Sequence, residues 1–183
     1  MRLFTALDLP DPVAGNLEEL LEKLRPQARI QWSPVTNLHI TTKFIGEWPE
    51  ARLDELQAAL AAIEPRPPIT VVIEKLGFFP NARSPRVFWC GVESLGLANL
   101  AAATERATSS LGIRSEERAF SPHLTLARIK ERIDFKPLHE AIGRLASVEF
   151  GRFTADGFFL YQSKLDRSGS VYTKLAEFPF SRS

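Results

Sequence analysis

Two short stretches of this chain carry side chains that can move protons. Leu38-His-Ile-Thr41 and Pro122-His-Leu-Thr125 each set a threonine two residues after a histidine, and the second copy follows the first by 84 positions. In an extended strand, residues i and i+2 share a face. His39 therefore points the same way as Thr41, and His123 the same way as Thr125. Imidazole is the side chain that most readily both accepts and donates a proton near neutral pH. Threonine hydroxyls donate hydrogen bonds well to phosphate oxygens, where charge builds in a transition state. Two imidazoles and two hydroxyls around one small volume suit cleavage of a phosphodiester. In-line displacement at phosphorus needs a base for the attacking oxygen, an acid for the leaving oxygen and donors for the equatorial oxygens. Each proton-transfer role is worth roughly 10²–10⁴-fold in rate.

Two cations accompany these motifs. Arg128 lies close behind the second, and Lys43, at i+4 from His39, is expected on the face of His39 and Thr41. Either could neutralise phosphate charge. A single histidine on a strand is as a rule a satisfied structural residue, so it is the repetition that points to acid–base work. His139 has no partner pattern and reads as surface or structural. Cys90, between Trp89 and Gly91 in an apolar strand, reads as buried and inert. Trp32, Trp48 and Trp89 read as packing residues, and Ser163 and Lys164 are weak site candidates. The carboxylates do not cluster with either histidine, so no metal site is expected.

The elements that must position the motifs follow from pattern and punctuation. Arg2 to Leu9 reads as a strand ended by Pro10. Asp11-Pro12 opens a helix, with Asp11 as N-cap and an apolar face of Val13, Leu17, Leu20, Leu21 and Leu24. Arg29 to Ser33 is a short strand, and Pro34 to Asn37 a turn into the first motif strand, Leu38 to Ile45. A second helix spans Glu50 to Ile63. Strands are predicted at Ile69 to Leu76 and Arg86 to Val92, with a loop over Gly77 to Pro85. A helix over Leu95 to Leu111 and a charged loop over Arg114 to Arg118 precede the second motif strand, His123 to Ile129. A short helix spans Lys136 to Leu145. Val148 to Lys164 and Ser170 to Phe180 read as two long strands around a turn at Asp166 to Gly169. Many strand-to-strand links are too short for parallel crossovers. The class is therefore α+β, antiparallel sheets with helices packed outside.

Composition bounds the function. The chain has 183 residues, 44% apolar and 25% charged, enough for a real hydrophobic core. A net charge of +1 argues against a protein that coats nucleic acid by bulk electrostatics, yet leaves room for a few local cations that grip phosphates. The single cysteine excludes an intramolecular disulfide and a Cys-based zinc cluster. No apolar run approaches the ~20 residues of a membrane span, and no signal peptide is evident. A cytoplasmic, monomeric protein without membrane association is expected.

At these residues the chain resembles the two-histidine (2H) phosphoesterases, and within them the LigT-like RNA 2′,3′-cyclic phosphodiesterases, historically called 2′-5′ RNA ligases. The matches are Arg2-Leu3-Phe4-x-Ala6-Leu7-Asp8-Leu9-Pro10, Asn37-Leu38-His39-x-Thr41 with Phe44-Ile45-Gly46, Leu76-Gly77-x-Phe79-Pro80, Phe120-x-Pro122-His123-Leu124-Thr125-Leu126-Ala127-Arg128, and Ser163-x-Leu165…Gly169…Tyr172. Thr42 stands where the family has an apolar residue, and alternation turns it away from the site. The resemblance implies that residues 1–183 form one bilobal α+β domain, with two antiparallel sheets facing across a central cleft and one His-x-Thr motif in each pseudo-symmetric half. It implies metal-independent, cofactor-free hydrolysis of RNA 2′,3′-cyclic phosphate ends to 2′-phosphomonoesters, with reversible 2′-5′ ligation as a companion reaction. By carry-over His39 and His123 are the acid and base, with His123 assigned as base although the sequence is symmetric on this point. Thr41, Thr125 and Arg128 hold the phosphate. A small cyclic nucleotide, a 2′-5′ linkage or ADP-ribose cyclic phosphate are alternative substrates. A non-catalytic RNA-end binding module is the alternative from another class.

Overall fold

The computed structural model describes residues 1–181. Its strands are β1 (Arg2–Leu7), β2 (Gln31–Trp32), β3 (Ile40–Glu47), β4 (Ile69–Phe79), β5 (Val87–Glu93), β6 (His123–Arg128), β7 (Glu149–Ala155), β8 (Gly157–Asp166) and β9 (Gly169–Pro179). Its helices are α1 (Asp11–Leu24), α2 (Leu53–Ala61), α3 (Leu95–Ser109) and α4 (Lys136–Gly143). The strands form two antiparallel sheets, in the orders β3-β1-β8-β9 and β2-β6-β5-β4-β7. The α+β class read from the sequence is the class of the structure.

Each motif strand pairs with a strand that precedes it, with a helix in the connection: β1 with β3 across α1, and β5 with β6 across α3. The helices pack against the sheets on the core side, α1 on β7, α3 on β3 and β4, and α2 on β9. α1 shows why. Its Val13, Leu17, Leu20, Leu21 and Leu24 recur at helical spacing and are all buried. Each such side chain contributes about 1.5–3 kcal/mol when taken out of water. In the first sheet the core face carries Leu3, Leu7, Ile40 and Leu160, while Phe4, Ala6 and Tyr161 form a separate buried cluster with the half-buried Phe159 and Tyr172. β1, flanked by strands on both sides, is buried on both faces from Leu3 to Leu7.

Several predicted boundaries change: β4 runs on to Phe79 through the start of the loop expected from Gly77, and the helix expected from Glu50 opens as a 3-10 turn before α2. The long strand expected from Val148 to Lys164 is two strands in different sheets: β7 pairs with β4, and after Asp156 alone β8 pairs with β1 and β9. An unbroken β-rich run carries no mark of a change of sheet. Asp11 is not the N-cap. Pro10 takes that position with extended backbone, and Asp11 sits in the first turn, where its charge complements the helix dipole. The strand around Trp32 shrinks to two residues, although Ser33 still donates its amide to the Leu126 carbonyl at 2.9 Å.

Candidate active site

The two motifs are built to one backbone plan. In each, the histidine Nδ1 lies against the carbonyl two residues earlier: His39 against Asn37 at 3.2 Å and His123 against Ser121 at 2.9 Å. A carbonyl only accepts, so Nδ1 carries the proton and Nε2 of the neutral ring is left as the acceptor. The threonine then follows on the same face. Immediately after it comes a β-bulge. Ala6 pairs with Thr41 and Thr5 with Lys43, which makes Thr42 the extra residue; Trp89 pairs with Thr125 and Phe88 with Ala127, which makes Leu126 the extra residue. A bulge puts two successive side chains on one side of the sheet and shifts the alternation beyond it. Thr42 and Lys43 are accordingly both buried, as are Leu126 and Ala127.

This bulge decides where the two predicted cations go. Arg128, three residues after Thr125, turns out on the side of Thr125 and is exposed, and no salt bridge holds it among the described residues. Lys43 does not reach the face of His39 and Thr41. It is 2% exposed, its Nζ lies 2.9 Å from Glu105 on α3 and it donates to the Arg114 carbonyl at 2.8 Å. The i+4 expectation assumed unbroken alternation, and the bulge at Thr42 breaks it. Phe44 takes the place on the site face that corresponds to Arg128, with 63% of its surface exposed and its ring 6.4 Å from Phe4. Thr42 is turned inward as expected, its hydroxyl 2.7 Å from that of Thr5.

The two strands come together although they belong to different sheets. β2 pairs with β6 at Ala127 and Arg128, and the chain runs from there through a short turn to His39. Asn37 anchors that turn by donating its side-chain amide to the Ser170 carbonyl on β9 at 2.8 Å. β3 and β6 approach each other directly.

The surroundings of the histidines differ. His39 has a side chain only 11% exposed and packs among Tyr161 at 4.5 Å, Tyr172 at 5.6 Å and Phe4 at 6.3 Å between ring centroids. Its Nε2 is 3.8 Å from the Asp8 carboxylate. Asp8 also accepts from the Tyr161 hydroxyl and pairs with Lys174 at 2.6 Å. Lys174 in turn lies 3.7 Å over the Phe159 ring. Burial pulls the His39 pKa below its ordinary value, Asp8 and the Asn37 carbonyl pull it back up, and Lys174 adds to the lowering. Burial, with help from Asp8, pushes the Tyr161 phenol well above its usual range, so it stays a neutral donor. His123 stands in more open ground, with the Phe79 ring 5.3 Å away and edge-on. Phe79 also packs 5.3 Å from Trp89, whose indole covers Gly77 so closely that a Cβ there would lie 2.1 Å from the ring.

Asp8 and Tyr172 fall in stretches that carry the resemblance and Tyr161 and Lys174 do not, and nothing local assigns any of them to the site, because they reach the surroundings of His39 from distant points of the chain. Cys90 is fully buried and its thiol is pushed up to about 12 by burial, an inert group. Among the described residues, no group of three or more His, Cys, Asp or Glu is arranged to hold a metal ion. Among the described residues, no helix is long and apolar enough to cross a membrane. Two concavities, of about 140 and 590 Å³, lie between α2 and β9 and beside the start of α3, and neither is lined by a motif histidine.

An α+β fold that sets two Nδ1-anchored imidazoles, each with a hydroxyl beside it, on strands of two antiparallel sheets is that of a two-histidine phosphoesterase. Within that class the chain belongs to the LigT-like phosphoesterases, whose family model, described as LigT like Phosphoesterase, matches residues 7–89 and 92–172. A Methanocaldococcus jannaschii protein named RNA 2′,3′-cyclic phosphodiesterase is 34% identical over 180 residues, covering 97% of this chain and 99% of that one. A Thermus thermophilus protein of the same name is 35% identical over 190 residues, covering 97% and 89%. Among solved structures, one from Thermus thermophilus matches with a TM-score of 0.84 at 33% identity, over 100% of this chain and 98% of that one. E. coli LigT, solved in complex with 3′-AMP, matches with a TM-score of 0.79 at 27% identity, over 98% of both chains.

Proposed function

We propose that this chain hydrolyses the 2′,3′-cyclic phosphate at an RNA end to a 2′-phosphomonoester. Water attacks phosphorus as the bond to the 3′ oxygen breaks. His123 Nε2 takes the proton from water, and His39, protonated at Nε2, gives one to the 3′ oxygen. Thr41, Thr125 and Arg128 hold the non-bridging oxygens. What carries this reading is the matched anchoring of both rings, which leaves the same nitrogen of each free for proton transfer. Burial holds the His39 pKa below its ordinary value, and the Asp8 carboxylate beside Nε2 pulls it back toward the protonated form that an acid needs. The negative charge of a bound cyclic phosphate pulls in the same direction. Run in the same direction with a 5′-hydroxyl in place of water, the same exchange would join two RNA ends through a 2′-5′ linkage, and its reverse would open that linkage to the cyclic phosphate.

The reading treats the chain as one domain of two related halves, supported by the shared β–α–β plan and the equivalent bulges at Thr42 and Leu126. All site groups come from a single chain, so a monomer suffices. The test is incubation of the pure protein with a short RNA ending in 2′,3′-cyclic phosphate, in excess EDTA, with the product typed by position and by phosphatase sensitivity. A 2′-phosphate formed under these conditions is the expected result. A 3′-phosphate, or turnover that requires added metal, would overturn the proposal.

A further inference from the structure

The nine residues 83–86 and 128–132 hold five cations, Arg83, Arg86, Arg128, Lys130 and Arg132, against one carboxylate, Glu131. With a net charge of +1 for the whole chain, the rest of the protein is therefore net negative. The fold brings the two segments side by side. Arg86 donates its amide to the Phe79 carbonyl at 2.6 Å and its own carbonyl accepts from Ile129 at 2.9 Å, while its neighbour Val87 pairs with Arg128. Ile129 is buried, so alternation turns Lys130 back to the side of Arg128. Arg83 sits on a turn held by the Asn81 side chain, which accepts from its amide at 3.0 Å. All five are exposed, and none has a carboxylate partner among the described residues. The strip begins at the site itself, since Phe79 touches His123 and Arg128 follows the second motif.

Unpaired cations on two adjoining segments that start at the phosphate-binding end of a catalytic site fit a polyanion that continues out of that site. We infer that this strip binds the backbone phosphates of the RNA that precede the terminal cyclic phosphate, and so makes an RNA strand a better substrate than a mononucleotide. The inference rests on the reading above and adds the ligand beyond the reacting group. Backbone contacts of this kind give affinity and salt dependence and carry no base specificity.

The test compares a 20-nucleotide RNA ending in 2′,3′-cyclic phosphate with adenosine 2′,3′-cyclic monophosphate, in wild type and in the combined variant Arg83→Gln, Lys130→Gln, Arg132→Gln. The wild type should show a steeper fall of log kcat/KM with log salt on the 20-mer, by roughly 0.7 for each backbone phosphate held. The variant should lose about 2 from that slope and at least tenfold in kcat/KM on the 20-mer, while its turnover of the mononucleotide stays within twofold. Equal slopes for the two substrates in the wild type, or equal losses on both in the variant, would overturn the inference. If the wild type turned over neither substrate, the hydrolase reading would fall. Anisotropy of a labelled 20-mer would then still decide the strip, since the variant must bind it more weakly at the same salt.

Discussion

The two motif strands share a backbone and differ in what stands around it. Both anchor Nδ1 on the carbonyl two residues back, both bulge after the threonine, and both present the third residue beyond it on the site face. In the first that third residue is Phe44, and in the second it is Arg128. The first histidine is enclosed by Phe4, Tyr161 and Tyr172 and faces Asp8. The second is more open and leads into the cationic strip. One plan thus fixes tautomer and orientation twice, and the neighbours then set the two motifs apart: one enclosed and facing a carboxylate, the other open and followed by exposed cations.

The sharpest way to break this comparison is to remove the two rings in turn. His39→Ala and His123→Ala should each lower kcat/KM by about 10³-fold or more, and the double variant should cost far less than the product, as expected of groups acting in one step. If one single variant kept near-normal turnover, the halves would not be partners. Next come the two third residues. Arg128→Ala should cost about 10–10²-fold, the loss of a charge-assisted hydrogen bond to phosphate. Phe44→Ala brings no charge loss and should stay within about threefold, as read from steady-state kinetics on the same cyclic phosphate.

A smaller effect, on stability alone, is expected at the residue that the first bulge sends inward. Lys43→Met leaves Glu105 and the Arg114 carbonyl without their cation and should cost about 1–3 kcal/mol in urea unfolding, with kcat nearly unchanged. Loss of activity with full stability would show Lys43 at the site after all. The finest test is Asp8→Asn. Asp8 raises the His39 pKa and Lys174 lowers it, so removing the carboxylate must move the His39 titration to lower pH. Ring-proton NMR, or the His39 limb of kcat/KM against pH, reads this directly, and a shift to higher pH would contradict it. Because His39 binds protons less readily folded than unfolded, its contribution to stability is full above the ordinary value of 6.5 and fades as pH falls below it.

Much of this was legible in the chain and some was hidden for identifiable reasons. The pairs His39–Thr41 and His123–Thr125 could be placed because a two-residue spacing needs only local alternation. Lys43 was misplaced because a bulge is a property of pairing with β1, and nothing in Thr42 itself announces it. The break between β7 and β8 was missed for a similar reason, since Asp156 is one polar residue in a run that otherwise reads as a single strand. Asp8 lay in a recognised stretch, but its role depends on Tyr161 and Lys174, more than 150 residues away. Long-range contacts of that kind leave no periodic signal.

The passage through Asp156 also sets an order of events in time. β1 and β3 are made first, yet the strand that pairs with the other edge of β1, and both tyrosines beside His39, come from β8 and β9. During synthesis the chain emerges N-terminal end first, and sheets closed by distant strands are slow to assemble. The second sheet, with β2 and β4 to β7, can gather before then. The His39 side of the site therefore stays unfinished until β8 and β9 have left the ribosome, and a nascent chain that ends before them carries both histidines without the tyrosines that enclose the first.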